Sequence, residues 1–139
     1  MQEEGLALEI SNEVKELARA ILEKKAEKVL AIYVGKLLGI TDYFLIATIN
    51  NPVQAEAVVS AVEEMAEKLG LSILSISGSR ESVWILLDLG DVVVHLFTPE
   101  GRDYYRLENL WKDCPAFEFT EGAKEPTSVS LLQHEEAKQ

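Results

Sequence analysis

The stretch Val83–Phe97 constrains the fold of this chain more than any other segment. It consists of two runs rich in Val, Ile and Leu, with the sequence Asp-Leu-Gly-Asp (88–91) between them. Branched residues favour strands, and a glycine between two such runs supplies the backbone freedom that a tight reversal needs. We therefore predict an antiparallel β-hairpin in which Trp84 faces His95.

This pairing gives the hairpin two different faces, because side chains alternate across a strand. One face is purely aliphatic and is expected to join the core: Val83, Ile85, Leu87, Val92, Val94 and Leu96. The other face is mixed and carries Trp84, Leu86, Asp88, Asp91, Val93 and His95. We expect the two aspartates to lie opposite each other beside the turn, where like charges weaken the pairing.

Two interpretations of the mixed face stay open. It is either a half-buried sheet surface with two solvated turn aspartates, or an apolar patch with an acidic rim that binds a basic partner. In the second interpretation Trp84 is the anchor, because a buried aromatic side chain is the usual hot spot of an interface. His95 is then either part of the interface or a satisfied histidine within the sheet.

Two segments before the hairpin have the spacing of amphipathic helices. From about Leu6 to Lys25, apolar residues recur every three or four positions. A second helix begins after Asn51, which suits an N-cap, with Pro52 in the first helical position, and it ends at Gly70. Each helix is therefore expected to pack one apolar stripe against a sheet.

Three further apolar runs have the length of strands, namely Val29–Val34, Tyr43–Ile49 and Leu71–Ile76. The first two are apolar on both faces, which is typical of central strands that are covered on both sides. The last two flank the second helix and predict a βαβ crossover. Together with the hairpin, they predict an α/β fold: a single domain with a mixed five-stranded sheet and helices on its faces.

The region after the hairpin predicts a short helix and then a tail. Thr98 and Pro99 are typical of a helix start, and Pro115 ends that element. The apolar residues expected to pack back on the sheet are Tyr104, Leu107, Leu110 and Trp111. Beyond Phe119 the chain is polar and aperiodic, so we predict a domain over residues 1–117 and a flexible acidic tail over 118–139.

Charge and composition narrow the class of partner. Thirteen basic residues stand against 24 acidic ones, which gives a net charge of −11. Such a chain is repelled by phosphate backbones, so direct nucleic-acid binding is not expected, whereas a basic protein is favoured. No apolar run reaches membrane-spanning length, and the acidic N-terminus is unlike a signal peptide. Cys114 is the lone cysteine, which fits a reducing cytoplasm.

Few residues are suited to catalysis. Two histidines and one cysteine are too few for a zinc cluster, and neither phosphate-binding glycine motif occurs. Asp42, Asp88 and Asp91 leave one enzymatic alternative open, a magnesium-dependent nucleotidyltransferase. Another alternative is a dimeric scaffold that pairs through an exposed strand or through the face of Trp84. We otherwise expect no catalytic residue, metal or cofactor.

Three segments resemble the ribosomal silencing factor family, also called Iojap or RsfS. The first comprises Thr41–Phe44, Ile46–Thr48 and Gln54. The second lies within Trp84–Phe97 and comprises Trp84, Asp88, Gly90, Asp91, Val94 and His95. The third comprises Arg102, Tyr104, Tyr105, Leu107, Glu108, Leu110 and Trp111. The match runs in order from about Leu6 to Pro115, and it departs from the family where Ile49 replaces a usual Gly and Ser77 a usual Glu.

The resemblance implies a binding function. Members of the family bind ribosomal protein fourteen of the large subunit, block joining of the small subunit and damp translation when nutrients are scarce. The resemblance also implies a degenerate nucleotidyltransferase-like fold. On this basis the expected contacts are made by Trp84, Leu86, Asp88, Asp91, Val93, His95 and Glu100.

Overall fold

The computed structural model of the chain describes residues 10–35 and 39–132. The strands in this part are β1 (Glu27–Tyr33), β2 (Tyr43–Thr48), β3 (Ser75–Ser77), β4 (Trp84–Asp88), β5 (Val92–Phe97), β6 (Ala116–Phe119) and β7 (Thr127–Val129). The helices are α1 (Asn12–Glu23), α2 (Pro52–Leu69), α3 (Pro99–Tyr105) and α4 (Leu107–Leu110). No helix of this part is long and apolar enough to cross a membrane.

The strands form one mixed sheet in the order β3-β4-β5-β2-β1-β6-β7. β2 and β5 run parallel, and every other neighbouring pair is antiparallel. The predicted α/β class and mixed sheet are therefore confirmed. The crossover from β2 through α2 leads to β3, which runs parallel to β2 but is separated from it by two strands, β5 and β4.

The predicted count of five strands is wrong, because the described chain contributes seven. The two additional strands are β6, which pairs with β1, and β7, which pairs with β6. They use part of the predicted tail, and Leu131 just beyond β7 is buried. Strands of four and three residues show too little alternation to be seen in the sequence. The tail beyond residue 132 lies outside the described residues.

Each of the helices α1, α2 and α3 begins after a residue whose side chain caps it. The Asn51 side chain accepts a hydrogen bond from the Gln54 amide at 2.8 Å, and Thr98 caps α3 in the same way. Ser11 caps α1, so the helix begins at Asn12 within the described residues; the predicted start near Leu6 lies outside them. Each cap satisfies an amide that the first helical turn leaves without a partner.

Two hydrophobic cores lie on opposite faces of the sheet. The first lies between the sheet and α1 and α2, and it contains the aliphatic hairpin residues Ile85, Leu87, Val92, Val94 and Leu96. The second contains Phe44, Ile46, Phe97, Leu107 and Leu131. Because both faces are covered along β1 and β2, these strands are the central ones that the apolar runs predict.

The hairpin has the predicted faces but a different register. Trp84 pairs with Phe97, and Leu86 pairs with His95, so each pair is two positions from the predicted one. The turn is centred on Gly90, whose φ of +89° suits the first central position of a type II′ turn. A shift of two residues leaves the side chains of β4 and β5 on their predicted faces, whereas a shift of one would not.

Four further expectations are corrected. The predicted strand Leu71–Ile76 is shortened to Ser75–Ser77, because the Leu71 amide donates to Ala66 and closes α2. Val83 precedes β4 and is half-exposed instead of buried. Tyr104 and Leu110 are 80% and 73% exposed, so they do not pack on the sheet, whereas Leu107 does. α3 and α4 are too short to turn all four apolar residues inward.

Candidate binding surface

The Trp84 side chain is half-buried and held by three neighbours. Its Nε1–H donates to Nδ1 of His95 at 3.1 Å. Its ring stacks on Phe97 with 4.9 Å between ring centroids, and it lies 4.8 Å from the ring of Tyr105. The indole therefore has a defined orientation while part of its surface stays open to solvent.

His95 lies beneath the surface, with only 3% of its area exposed. Burial lowers the pKa of His95 to about 4, because removal from water disfavours the charged imidazolium. The ring is thus neutral near pH 7, and since Nδ1 accepts the indole hydrogen, the ring proton is on Nε2. Nε2 has no hydrogen-bond partner among the described residues. His95 is therefore too buried to form much of this surface itself, and it contributes by holding Trp84 through the hydrogen bond.

Leu86 and Val93 extend the open surface along the hairpin. Leu86 is on the same face of β4 as Trp84, and Val93 is on the same face of β5 as His95. Both are half-buried, whereas Phe44 and Phe97 on the same face of the sheet are buried. We call Trp84, Leu86 and Val93 the apolar strip.

The acidic residues near the apolar strip occupy different positions from those expected. Asp88 pairs with Val93 and not with Asp91. Its Oδ1 accepts a hydrogen bond from the Gly90 amide at 2.9 Å, so Asp88 stabilises the turn. Asp91 is exposed on the turn, and Glu100 is exposed in the first turn of α3. The acidic groups thus lie at the two ends of the strip.

The three carboxylates of the alternative metal site do not form a cluster. The described residues contain no group of three or more His, Cys, Asp or Glu side chains that could hold a metal ion. Asp42 and Asp91 meet through the backbone, where the amides of Asp42 and Tyr43 donate to the Asp91 carbonyl at 3.0 and 3.1 Å. Asp88 is engaged with Gly90 instead.

A polar contact that the sequence did not predict lies next to the strip. Arg102 donates from one guanidinium nitrogen to Thr48 Oγ1 at 2.8 Å and from Nε to Glu108 Oε2 at 2.7 Å. Its side chain is only 10% exposed. The spacing of Arg102 and Tyr105 places both on one face of a helix, but it contains no signal for the contact of Arg102 with Thr48.

The fold and surface define the class of protein: an α/β domain whose mixed sheet presents the half-exposed apolar strip. A family model described as "Ribosomal silencing factor during starvation" matches residues 7–139. Ribosomal silencing factor RsfS of Halalkalibacterium halodurans is 39% identical over 109 residues, which cover 78% of this chain and 93% of that protein. The chain therefore belongs to the ribosomal silencing factor family.

A solved structure and a more distant relative agree with this assignment. The crystal structure of a Chromobacterium violaceum protein superposes with a TM-score of 0.69 at 32% identity, covering 75% of this chain and 87% of that one. A mouse protein, named mitochondrial assembly of ribosomal large subunit protein 1, is 30% identical over 98 residues, which are 68% of this chain and 43% of that protein. The relatives thus include proteins named for silencing and for assembly of ribosomes.

Proposed function

We propose that this protein binds the large ribosomal subunit in the cytoplasm through the basic ribosomal protein fourteen. Bound there, it sterically blocks joining of the small subunit and represses translation under nutrient limitation. Membership of the silencing factor family supports action on the ribosome. The family is named for silencing during starvation, which supports repression under nutrient limitation. The mouse relative is named for assembly of the large ribosomal subunit, which supports that subunit as the partner.

The observation that carries the proposal is the fixed, half-exposed indole of Trp84. An aromatic side chain that is already oriented loses little conformational entropy on binding, and such residues supply most of the energy of many interfaces. The contacts with His95, Phe97 and Tyr105 provide that orientation. Leu86 and Val93 would exclude water around the anchor.

The charge of the protein supports a basic protein partner over RNA. With a net charge of −11, the chain is repelled by ribosomal RNA unless a basic protein surface lies between them. Asp91 and Glu100 are exposed and free to meet Lys or Arg side chains at the ends of the strip, with Asp88 close to the turn. Such rim charges mainly increase the rate of association.

The experiment is a pull-down of purified large subunits by the tagged protein at low and high salt. Trp84→Ala is compared with Val53→Ala, a matched truncation of an exposed apolar residue on α2, which packs on the opposite face of the sheet. We expect large subunits to be retained by the parent chain and by Val53→Ala, and lost with Trp84→Ala. Equal retention by all three proteins would rule out the strip as the binding surface.

The other two functions have weaker support. No cluster of carboxylates within residues 10–35 and 39–132 favours an enzyme over a binding protein, and the absence of catalysis stays a prediction. Pairing of two copies when the protein is free from the ribosome also stays a prediction. Light scattering of the purified parent and Trp84→Ala tests it, since pairing through the strip would be lost in the variant.

A further inference from the structure

Thr48, Phe97 and Trp84 form a row across three neighbouring strands. Phe97 on β5 pairs with Thr48 on β2 at one side and with Trp84 on β4 at the other. Partners in register point to the same face of a sheet, so the three side chains lie side by side, with about 5 Å between strands. This row ends at the anchor of the apolar strip.

α3 lies across this row and contacts both of its ends. Arg102 reaches Thr48 at one end, while the Tyr105 ring packs on Trp84 at the other. Residues three apart in a helix share a face, so one orientation of α3 makes both contacts. Gly101 permits the close approach, because a Cβ there would lie 2.5 Å from the Val83 carbonyl oxygen.

The junction between α3 and α4 is held in an unfavourable conformation. Arg106 has φ +46° and ψ +53°, a left-handed conformation that residues with a side chain rarely adopt. Such a conformation persists only where surrounding contacts impose it. The ion pair from Arg102 to Glu108 joins the two helices across this junction and is largely shielded from solvent.

We infer that Arg102 is a positioning residue for the ribosome-binding surface. Through Thr48 and Glu108 it fixes α3 and α4, and thereby holds Tyr105 against Trp84 so that the anchor is oriented before the partner arrives. The inference rests on the proposed function for its effect on binding. Its structural part, the control of Trp84 by Arg102, can be measured without the ribosome.

The test compares Arg102→Gln with Asp103→Asn, a matched control in the same helix. Among the described residues the Asp103 carboxylate contacts only Arg106, at 3.5 Å, and both side chains are exposed. Arg102→Gln makes the protein more negative, which by charge alone would favour a basic partner, so a loss of affinity cannot come from net charge. If about one molecule in ten of Arg102→Gln keeps Tyr105 packed against Trp84, the affinity of this variant for large subunits falls roughly ten-fold. We expect Asp103→Asn to bind like the parent.

The second readout is the accessibility of Trp84 to a neutral fluorescence quencher, measured with Trp111→Phe in every protein so that Trp84 is the only indole. We expect greater quenching in Arg102→Gln and no change in Asp103→Asn. If Arg102→Gln does not fold, Thr48→Val removes one of the two hydrogen bonds without removing the charge, and the same readouts apply. A purely structural arginine would lower the unfolding temperature but leave binding and quenching of the folded protein unchanged.

Two outcomes would overturn the inference. The first is unchanged quenching in folded Arg102→Gln and Thr48→Val, and the second is an equal effect of Asp103→Asn. If the parent chain retains no large subunits, the proposed function fails, but quenching still decides whether Arg102 positions Trp84. Failure of the inference and failure of the proposed function are therefore distinguishable.

Discussion

Trp84 donates its indole N–H to Nδ1 of His95 across 3.1 Å, which couples a half-exposed anchor to a buried imidazole. The contact requires a neutral His95, because a protonated ring has no acceptor to offer. The pKa of His95, lowered to about 4 by burial, satisfies that requirement over the physiological pH range. The sequence predicts that Trp84 lies directly opposite His95, whereas in the structure the two side chains are diagonal neighbours joined by this hydrogen bond.

Trp84→Phe tests the hydrogen bond of this unit. Phe keeps the ring against Phe97 and Tyr105 but leaves Nδ1 of His95 buried without a donor. We expect a loss of about 1–3 kcal/mol in the free energy of unfolding, measured by chemical denaturation. The double variant Trp84→Phe with His95→Phe should lose less than the two single changes summed, and an additive result would contradict the coupling.

The stability of the protein should depend on pH through His95. Its pKa is about 4 in the folded chain against an ordinary 6.5, so the unfolded chain binds one more proton between these values. The stabilisation is complete above pH 6.5 and is lost as the pH falls towards 4, by about 3 kcal/mol in total. The measurement is the unfolding free energy of the parent minus that of His95→Gln, which does not titrate, across this range. A constant difference would mean that His95 is not buried in its neutral form.

The two turn aspartates should behave differently. Asp88→Ala removes the acceptor for the Gly90 amide and should cost about 0.5–1.5 kcal/mol of stability. Asp91→Asn changes an exposed carboxylate and should leave the unfolding temperature unchanged. On the ribosome, Asp91→Asn should slow association and flatten its dependence on salt, as stopped-flow measurements at several salt concentrations would show. Equal thermal effects of the two changes would refute this division of roles.

The segment after β6 should contribute to stability. Leu131 is 3% exposed and packs in the second core, so Leu131→Ala should cost about 2–5 kcal/mol. Leu132→Ala is the matched control, because Leu132 is half-exposed. Thermal and denaturant unfolding of both variants measures the effect. If the two changes cost the same, the segment does not pack as described.

The features predictable from the sequence are those with a local cause. The faces of the hairpin follow from alternation, and the start of α2 follows from Asn51 and Pro52. The register of the hairpin was not predictable, because it depends on which two residues form the loop. In the structure these are Gly90 and Asp91, and a register two positions away gives the same alternation of faces. The contact of Arg102 with Thr48 joins residues 54 positions apart, for which a single sequence contains no local signal.

The central claim is that the protein binds the large subunit through the apolar strip and thereby prevents joining of the small subunit. The most direct measurement mixes purified large and small subunits with the parent protein, Trp84→Ala or Val53→Ala, and separates free from joined ribosomes by sedimentation. The account predicts that the parent and Val53→Ala keep the subunits apart. Trp84→Ala, which should bind about 2–4 kcal/mol more weakly, should let them join. Joined ribosomes in equal amount with and without the parent protein would contradict the account.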